Sequence, residues 1–229
     1  LETKTYTLTL PSTGEDIKYR PFLVKEQKTL LMAQESNDDK EMIDAMSQLI
    51  NDCTFGKVDP KRCPMFDAEY IFLQLRAKSV GEKADIQITC PDDNETKVNV
   101  LVDISDVECN MIEDHTNVVD ITDTVKVVFS YPLLSSFANI KEDNKAQSMF
   151  DMIRESIHEI HFDDKIYNKI DTSKKELTEF IDSLNTQQFE SISKFFESMP
   201  KLRHAVEVTN PKTKVKSEVV IEGLQSFLV

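Results

Sequence analysis

The chain has 229 residues, 40% of them hydrophobic and 30% charged, so it is long enough to bury a core and is not disordered throughout. Its 41 acidic and 27 basic residues give a formal charge of −14, which repels phosphate backbones and anionic lipids and therefore argues against nucleic-acid or membrane-surface binding. The four glycines are isolated and form no phosphate-binding motif, so nucleotide chemistry is not expected.

The chain begins with a predicted β-hairpin and two predicted helices. Tyr6–Leu10 and Ile17–Phe22 alternate in polarity around the turn residues Pro-Ser-Thr-Gly, which is typical of paired strands. Pro21 indicates that the second strand ends there or lies at an edge. Apolar residues at helical spacing then predict helices at residues 24–36 and 40–55.

A third helix and a second hairpin follow. Asp67 is expected to cap this helix, which stops around Ser79–Gly81 because glycine can adopt the positive φ that often ends a helix. Residues 85–103 alternate in polarity on both sides of a polar turn and predict the second hairpin. One or two further strands are expected in residues 117–131.

The second half of the chain is predicted to be mainly helical. Leu133–Ile140 is a short helix candidate, and Lys145–Phe162 predicts a long helix because its apolar residues repeat at spacings of three and four. Residues 161–170 are interpreted as an irregular connector. Ser173–Glu176 has the spacing of a capping box, and Thr186 is expected to start the last long helix.

These patterns together predict an α+β protein. Three hairpins, at residues 6–22, 85–103 and 205–221, are interspersed with helices. The division expected is an N-terminal part at residues 1–132 and a helical part closed by a hairpin at residues 133–229, with one intertwined domain as the alternative.

The four cysteines are predicted to be reduced. Cys53, Cys63, Cys90 and Cys109 include no C-x-x-C pair, whereas zinc sites use closely spaced ligand pairs. Cys53 lies on an apolar helical face and Cys90 on an alternating strand, so both are expected in the core. The start of the chain lacks the layout of a signal peptide, and no apolar run has the length of a membrane helix. Because the chain is not a short disulfide scaffold, we expect a cytosolic protein with reduced thiols.

His158 and His161 are the candidate metal ligands. They lie three positions apart on a predicted helix, beside Glu155 and Glu159, and such a pair shares a face that could hold a metal ion with one carboxylate. The alternative is a solvated acidic face without a ligand. A small metal-binding or hydrolytic protein that uses these histidines or the cysteines is therefore the second hypothesis, and a general regulatory binding domain is the third.

No catalytic constellation is evident. Ser79 is not in a nucleophile elbow, because the sequence around it is not G-x-S-x-G. Ser173–Glu176 is better explained as a helix cap, and the acidic pairs lie in turn-rich segments. We therefore expect no enzyme activity and no small-molecule substrate.

An apolar set near the end of the last helix is wider than one helical stripe, which fits burial in the core, a partner interface, or both. Its members are Phe189, Phe195, Phe196, Met199 and Leu202.

Three segments carry a family resemblance. Residues 20–36, 65–82 and 195–227, with the sequence LRAKSVGE in the second segment, resemble the T4-type bacteriophage baseplate protein family. That family is marked by an SVGE motif, here Ser79-Val80-Gly81-Glu82.

The resemblance implies a non-enzymatic role in contractile-tail morphogenesis. It implies a hub subunit or assembly factor of the central baseplate hub that binds other hub or tail proteins. No cofactor, nucleic acid or membrane insertion is implied. The expected location is the host cytoplasm during assembly, or the baseplate of the virion tail.

The hairpin turns depart from a cysteine knuckle of the CPxCG type, which we would expect in related proteins. Cys90-Pro91 is followed by Asp92-Asp93 where a second cysteine would fall, and the turn Asn210–Thr213 has no cysteine. No metal cofactor is therefore expected.

The SVGE motif is interpreted as a structural junction. Gly81 is expected to end the helix, whose negative end suits Arg76 and Lys78. Ser79 and Glu82 are expected to tie the helix end to the following hairpin through side-chain hydrogen bonds.

Overall fold

The computed structural model describes residues 3–110, 112–139 and 144–227 and shows an α+β protein, as predicted. The helices and strands, in chain order, are β1 (Tyr6–Thr9), β2 (Asp16–Tyr19), α1 (Val24–Ser36), α2 (Asp39–Cys53), α3 (Met65–Ser79), β3 (Lys83–Thr89), β4 (Lys97–Asp103), β5 (Glu108–Asn110), β6 (Val118–Asp120), β7 (Val125–Phe129), α4 (Lys145–Ser156), β8 (Ile157–Phe162), β9 (Lys165–Asn168), α5 (Lys174–Asp182), α6 (Thr186–Ser198), β10 (Lys201–Thr209) and β11 (Lys216–Glu222). Short 3₁₀ turns lie at Ile104–Asp106, Leu134–Asn139, Lys169–Asp171 and Leu224–Phe227.

Contacts divide the chain into two compact units. The first comprises residues 1–110 with 200–229, and the second comprises residues 111–199. The units do not follow the predicted boundary near residue 132, because β10 of the last hairpin pairs with β5 and so joins the N-terminal part.

The first unit contains three antiparallel hairpins, β1–β2, β3–β4 and β10–β11, which confirms the three predicted hairpins. α2 and α3 supply its buried centre, where Ile50, Ile71 and Leu73 are fully buried. The second unit is a four-stranded antiparallel sheet in the order β6-β7-β8-β9 with helices against one side. Its core includes Val127 and Ile192, both fully buried.

The three hairpins of the first unit have turns of the same kind. In each turn a proline follows a buried residue, and a residue with positive φ lies three positions after the proline. The amide of that residue donates to the carbonyl of the buried residue: Gly14 to Leu10 at 2.8 Å, Asn94 to Cys90 at 2.9 Å and Lys214 to Asn210 at 2.9 Å, with φ of 70°, 55° and 66°. Proline fixes its own φ and donates no hydrogen bond, so it favours the start of such a turn.

The predicted helix over Lys145–Phe162 is wrong in its second part. α4 ends at Ser156, and β8 pairs with β7 and β9. Val128 pairs with Glu159 and Phe129 with Ile157, so β8 has an extra residue at His158. This bulge separates two inward-facing isoleucines by three positions, which imitates helical spacing.

Two other predicted elements also differ from the structure. The interval interpreted as an irregular connector contains β9, which follows β8 through a turn where Asp163 has φ of 50°. The second half is therefore less helical than predicted. The short helix candidate at Leu133–Ile140 is a 3₁₀ turn at Leu134–Asn139, and residue 140 lies outside the described residues.

Asp67 does not cap α3, because the helix begins at Met65 and Asp67 lies in its first turn. The buried Asp67 carboxylate instead accepts hydrogen bonds from the backbone amide of Ser12, at 3.0 Å, and from its hydroxyl. It therefore holds the first hairpin turn against α3. The other two predicted starts, at Ser173 with its capping box and at Thr186, are confirmed.

Candidate functional site

The SVGE motif lies where α3 ends. The amide of Val80 donates to the carbonyl of Arg76 at 2.8 Å, and the next residue, Gly81, has φ of +150°. This φ is positive, as the glycine suggested, although it is far from the left-handed value near 57°. Arg76 and Lys78 lie in the last turn of α3, as predicted.

Ser79 connects the end of α3 to the chain that follows the first hairpin. Its hydroxyl donates to the carbonyl of Leu75 at 2.6 Å and accepts from the amide of Phe22 at 2.9 Å. The expected bond from Ser79 to the following hairpin is therefore wrong. Because this hydroxyl donates to a backbone carbonyl, it is not placed as a nucleophile beside a base.

Glu82 connects α3 to the second hairpin, but only one of its two contacts is a side-chain bond of the kind predicted. Its carboxylate pairs with Lys78, and its carbonyl accepts from the amide of Ile104 at 2.6 Å. The Lys78 ammonium also lies 5.3 Å from the centroid of the Tyr6 ring on β1. The motif therefore joins the first hairpin, α3 and the second hairpin at one point.

Tyr19 on β2 is buried beside this junction, with its ring centroid 5.7 Å from that of Tyr6. Burial raises the pKa of Tyr19 to about 12, with smaller electrostatic contributions from the ionisable groups of Tyr70, Tyr6 and Glu82. Its phenol therefore stays protonated at neutral pH.

A second polar arrangement, the turn cluster, joins the turns of the second and third hairpins. It consists of Asp92, Asp93, Asn210 and Thr213. The amide nitrogen of Asn210 donates to Asp92 Oδ1 at 3.0 Å and to Asp93 Oδ2 at 2.9 Å, and Thr213 donates to Asp92. Asn210 is only 1% exposed, so its buried side-chain amide is satisfied by these hydrogen bonds and not by water.

The hydrogen bonds of the turn cluster lower the pKa of both carboxyls. The main cause is the Thr213 hydroxyl for Asp92 and the Thr96 hydroxyl for Asp93, and Asn210 contributes to both. These carboxylates and amides lie at the turn positions where a cysteine knuckle would carry its ligands. The repeated turn pattern was the signal in the sequence, but it did not reveal that the two turns meet.

His158 and His161 lie on β8 and not on a helix, so the predicted helical basis for the pair is wrong. The Glu159 carboxylate is 2.8 Å from Nε2 of His161 and 3.8 Å from Nε2 of His158. Within the described ranges, no group of three or more His, Cys, Asp or Glu residues has a geometry that could hold a metal ion.

The cysteines are free thiols, and Cys53 and Cys90 are fully buried, as predicted for core residues. Burial raises the pKa of Cys63 and of Cys109 to about 12, and that of Cys53 to about 11. A thiolate is the reactive form, so these three thiols are unreactive at neutral pH.

The members of the apolar set are divided between the two units. Phe195 is 2% exposed in the core of the second unit, with its ring centroid 5.0 Å from that of Phe129. Leu202 is fully buried on β10 of the first unit. Phe189, Phe196 and Met199 are partly buried, and their role as an interface stays a prediction.

A sequence model of the family described as T4 bacteriophage base plate protein matches residues 3–229. The chain belongs to this family. No curated protein and no solved structure matches it.

The family membership indicates a structural or assembly role in the phage baseplate, in contact with other baseplate or tail proteins of the virion. Among the helices that the structure describes, none combines the length and apolarity that crossing a membrane requires.

Proposed function

We propose that this chain is a non-enzymatic tail morphogenesis protein of a T4-like contractile-tailed phage and acts in assembly of the central baseplate hub. The observation that carries the proposal is the family match over nearly the whole chain, at residues 3–229. The chain works by binding other hub or tail proteins, either as a hub subunit or as an assembly factor that leaves.

Exposed apolar side chains support a protein-binding role. At the β8–β9 end of the second unit, Phe162 is 47% exposed, Ile166 57%, Tyr167 46% and Ile170 95%. Phe162 and Tyr167 lie on the same face of the sheet as the buried Ile160, whereas Ile166 pairs with His161 and lies on the opposite face. Single exposed apolar residues are ordinary on protein surfaces, but four within nine positions at one end of the unit favour a contact surface. β9 is also an edge strand, which leaves backbone groups unpaired on one side.

The test is removal of the protein during infection. We expect phage that lack the chain to make no complete baseplate hub, seen by electron microscopy of tails, and the wild-type gene supplied in trans to restore it. Tagged protein should co-purify with a hub or tail component. Intact tails without the protein, together with no tail component bound, would refute the proposal.

A subunit and an assembly factor differ in where the protein ends up. Quantitative protein analysis of mature particles and of assembly intermediates should find a subunit in both, and an assembly factor in host cytoplasm and intermediates only. Substitution of Ile170 by Ser should weaken co-purification of the partner. Leu101, which is 62% exposed on β4 of the first unit, offers the matched control Leu101→Ser.

The non-enzymatic part of the proposal has its own measurement. The raised pKa values of Cys53, Cys63 and Cys109 support it, because the thiols are held in their unreactive form. Elemental analysis of purified protein should find no stoichiometric metal. A bound metal that is lost in His158→Ala or His161→Ala would instead favour a metal-binding protein.

A further inference from the structure

Helix α1 buries a charged residue and exposes its apolar residues. Glu26 is 7% exposed, and its carboxylate bonds to Arg20 Nη2 at 3.0 Å and to the amide of Leu23 at 2.7 Å. On the solvent side, Val24 is 81% exposed, Leu31 52% and Met32 60%.

The helical geometry places these groups on opposite sides. Successive residues are rotated by about 100°, so Val24 and Leu31 lie within about 20° of each other and Met32 lies on the adjoining side. Glu26 and Ala33, the two buried residues of α1, project in the opposite direction. A helix that exposes several large apolar side chains on one side presents a candidate contact surface there.

The exposed side also carries two opposite charges. Lys28 and Glu35 project beside Val24, Leu31 and Met32, and these five residues form the outward face of α1. Lys28 and Glu35 are both exposed, and within the described part of the chain neither has an ion-pair partner within 4.0 Å. A basic residue thus precedes the apolar centre of the face, and an acidic residue follows it.

We propose that the outward face of α1 pairs, antiparallel, with the same face of a second copy of this chain. A two-fold axis between Leu31 and Met32 places Leu31 of one copy opposite Met32 of the other. The same axis places Lys28 opposite Glu35 twice, once on each side of the apolar centre. The centre of the face, from Lys28 to Glu35, is therefore complementary to itself in charge and in apolar character, as a two-fold interface requires, and Val24 lies at its edge.

Charge also sets the strength of this dimer. Each copy carries a formal charge of −14, so two copies repel at long range and the contact depends on the local Lys28–Glu35 pairs and the apolar centre. A contact made by one helix from each copy is small, so the dimer forms only at high protein concentration. The pairing is independent of the proposed role in the baseplate hub.

Sedimentation equilibrium over a range of protein concentrations tests the pairing. Wild-type protein should show a reversible monomer–dimer equilibrium. Lys28→Glu places two glutamates opposite each other at both ends of the contact and should raise the dissociation constant about tenfold, as should Glu35→Lys. The double variant Lys28→Glu/Glu35→Lys reverses both charges and should restore the wild-type constant.

The control is Lys194→Glu on α6, which changes the net charge as Lys28→Glu does at an exposed site on another helix. It should leave the dissociation constant within about twofold of wild type. Far-ultraviolet circular dichroism should be identical for all variants, because the substituted residues are exposed. A wild-type chain that stays monomeric at every concentration, or a double variant no better than the single ones, would overturn the proposal.

Discussion

Glu69 on α3 is a carboxyl whose ionisation we expect to oppose folding. Burial raises its pKa from 4.5 to about 7, although a hydrogen bond from the backbone of Leu224 acts in the opposite direction. Between these pKa values the folded chain retains a proton that the unfolded chain has released. The free energy of unfolding therefore falls as the pH rises through this range and stays reduced above it. At about 1.4 kcal/mol per pKa unit, the full reduction is about 3 kcal/mol.

The variant Glu69→Gln removes the charge and keeps an oxygen that can accept from Leu224. Because part of the wild-type penalty is already present at about pH 5, we expect the stability advantage of the variant to grow by about 2.5 kcal/mol between about pH 5 and about pH 9. Urea unfolding followed by circular dichroism measures it. Glu15 is exposed in the first hairpin turn, so Glu15→Gln is the control and should show no such growth. An advantage for Glu69→Gln that is equal at both pH values would refute the reasoning.

Three further substitutions test the junction, the turn cluster and the core. Asn210→Ala leaves two carboxylates without their shared donor and should cost about 2 kcal/mol in urea unfolding, whereas a cost below about 0.5 kcal/mol would contradict the turn cluster. Gly81→Ala adds a Cβ that meets no atom within 4 Å, so any loss comes from the backbone at φ +150° alone. It should cost about 1–3 kcal/mol, and an unchanged thermal midpoint would argue against this strain. Phe195→Ala should cost about 4 kcal/mol because it opens a cavity in the core of the second unit, and a loss under about 1 kcal/mol would place Phe195 outside that core.

Local patterns in the sequence predicted most of the elements. The three hairpins were predicted because alternation and the proline-containing turns are properties of adjacent residues, and each turn forms its own internal hydrogen bond. The capping box at Ser173 depends on two residues three positions apart and was also predicted correctly. The family, too, could be inferred from the segments around Ser79–Glu82.

The errors arose where one pattern fits two structures. Ile157 and Ile160 are three positions apart. This spacing puts both side chains on one face of a helix, and it also puts them on one face of a strand that has one extra residue, so periodicity could not distinguish β8 from a continued α4. Asp67 has the side chain of a helix cap, but a buried carboxylate bonds to whichever donors surround it, and here Ser12 supplies them.

The sequence by itself determined the α+β class, the hairpin turns and the end of α3 near Gly81, because each depends on the conformational preferences of neighbouring residues. Only the tertiary structure decided that Ser79 bonds to Phe22, that Asn210 joins the turns of two hairpins more than a hundred residues apart, and that the last hairpin belongs to the first unit. The physical reason is that these bonds form between residues that folding brings together. Their energies depend on burial and on partners that no local pattern specifies.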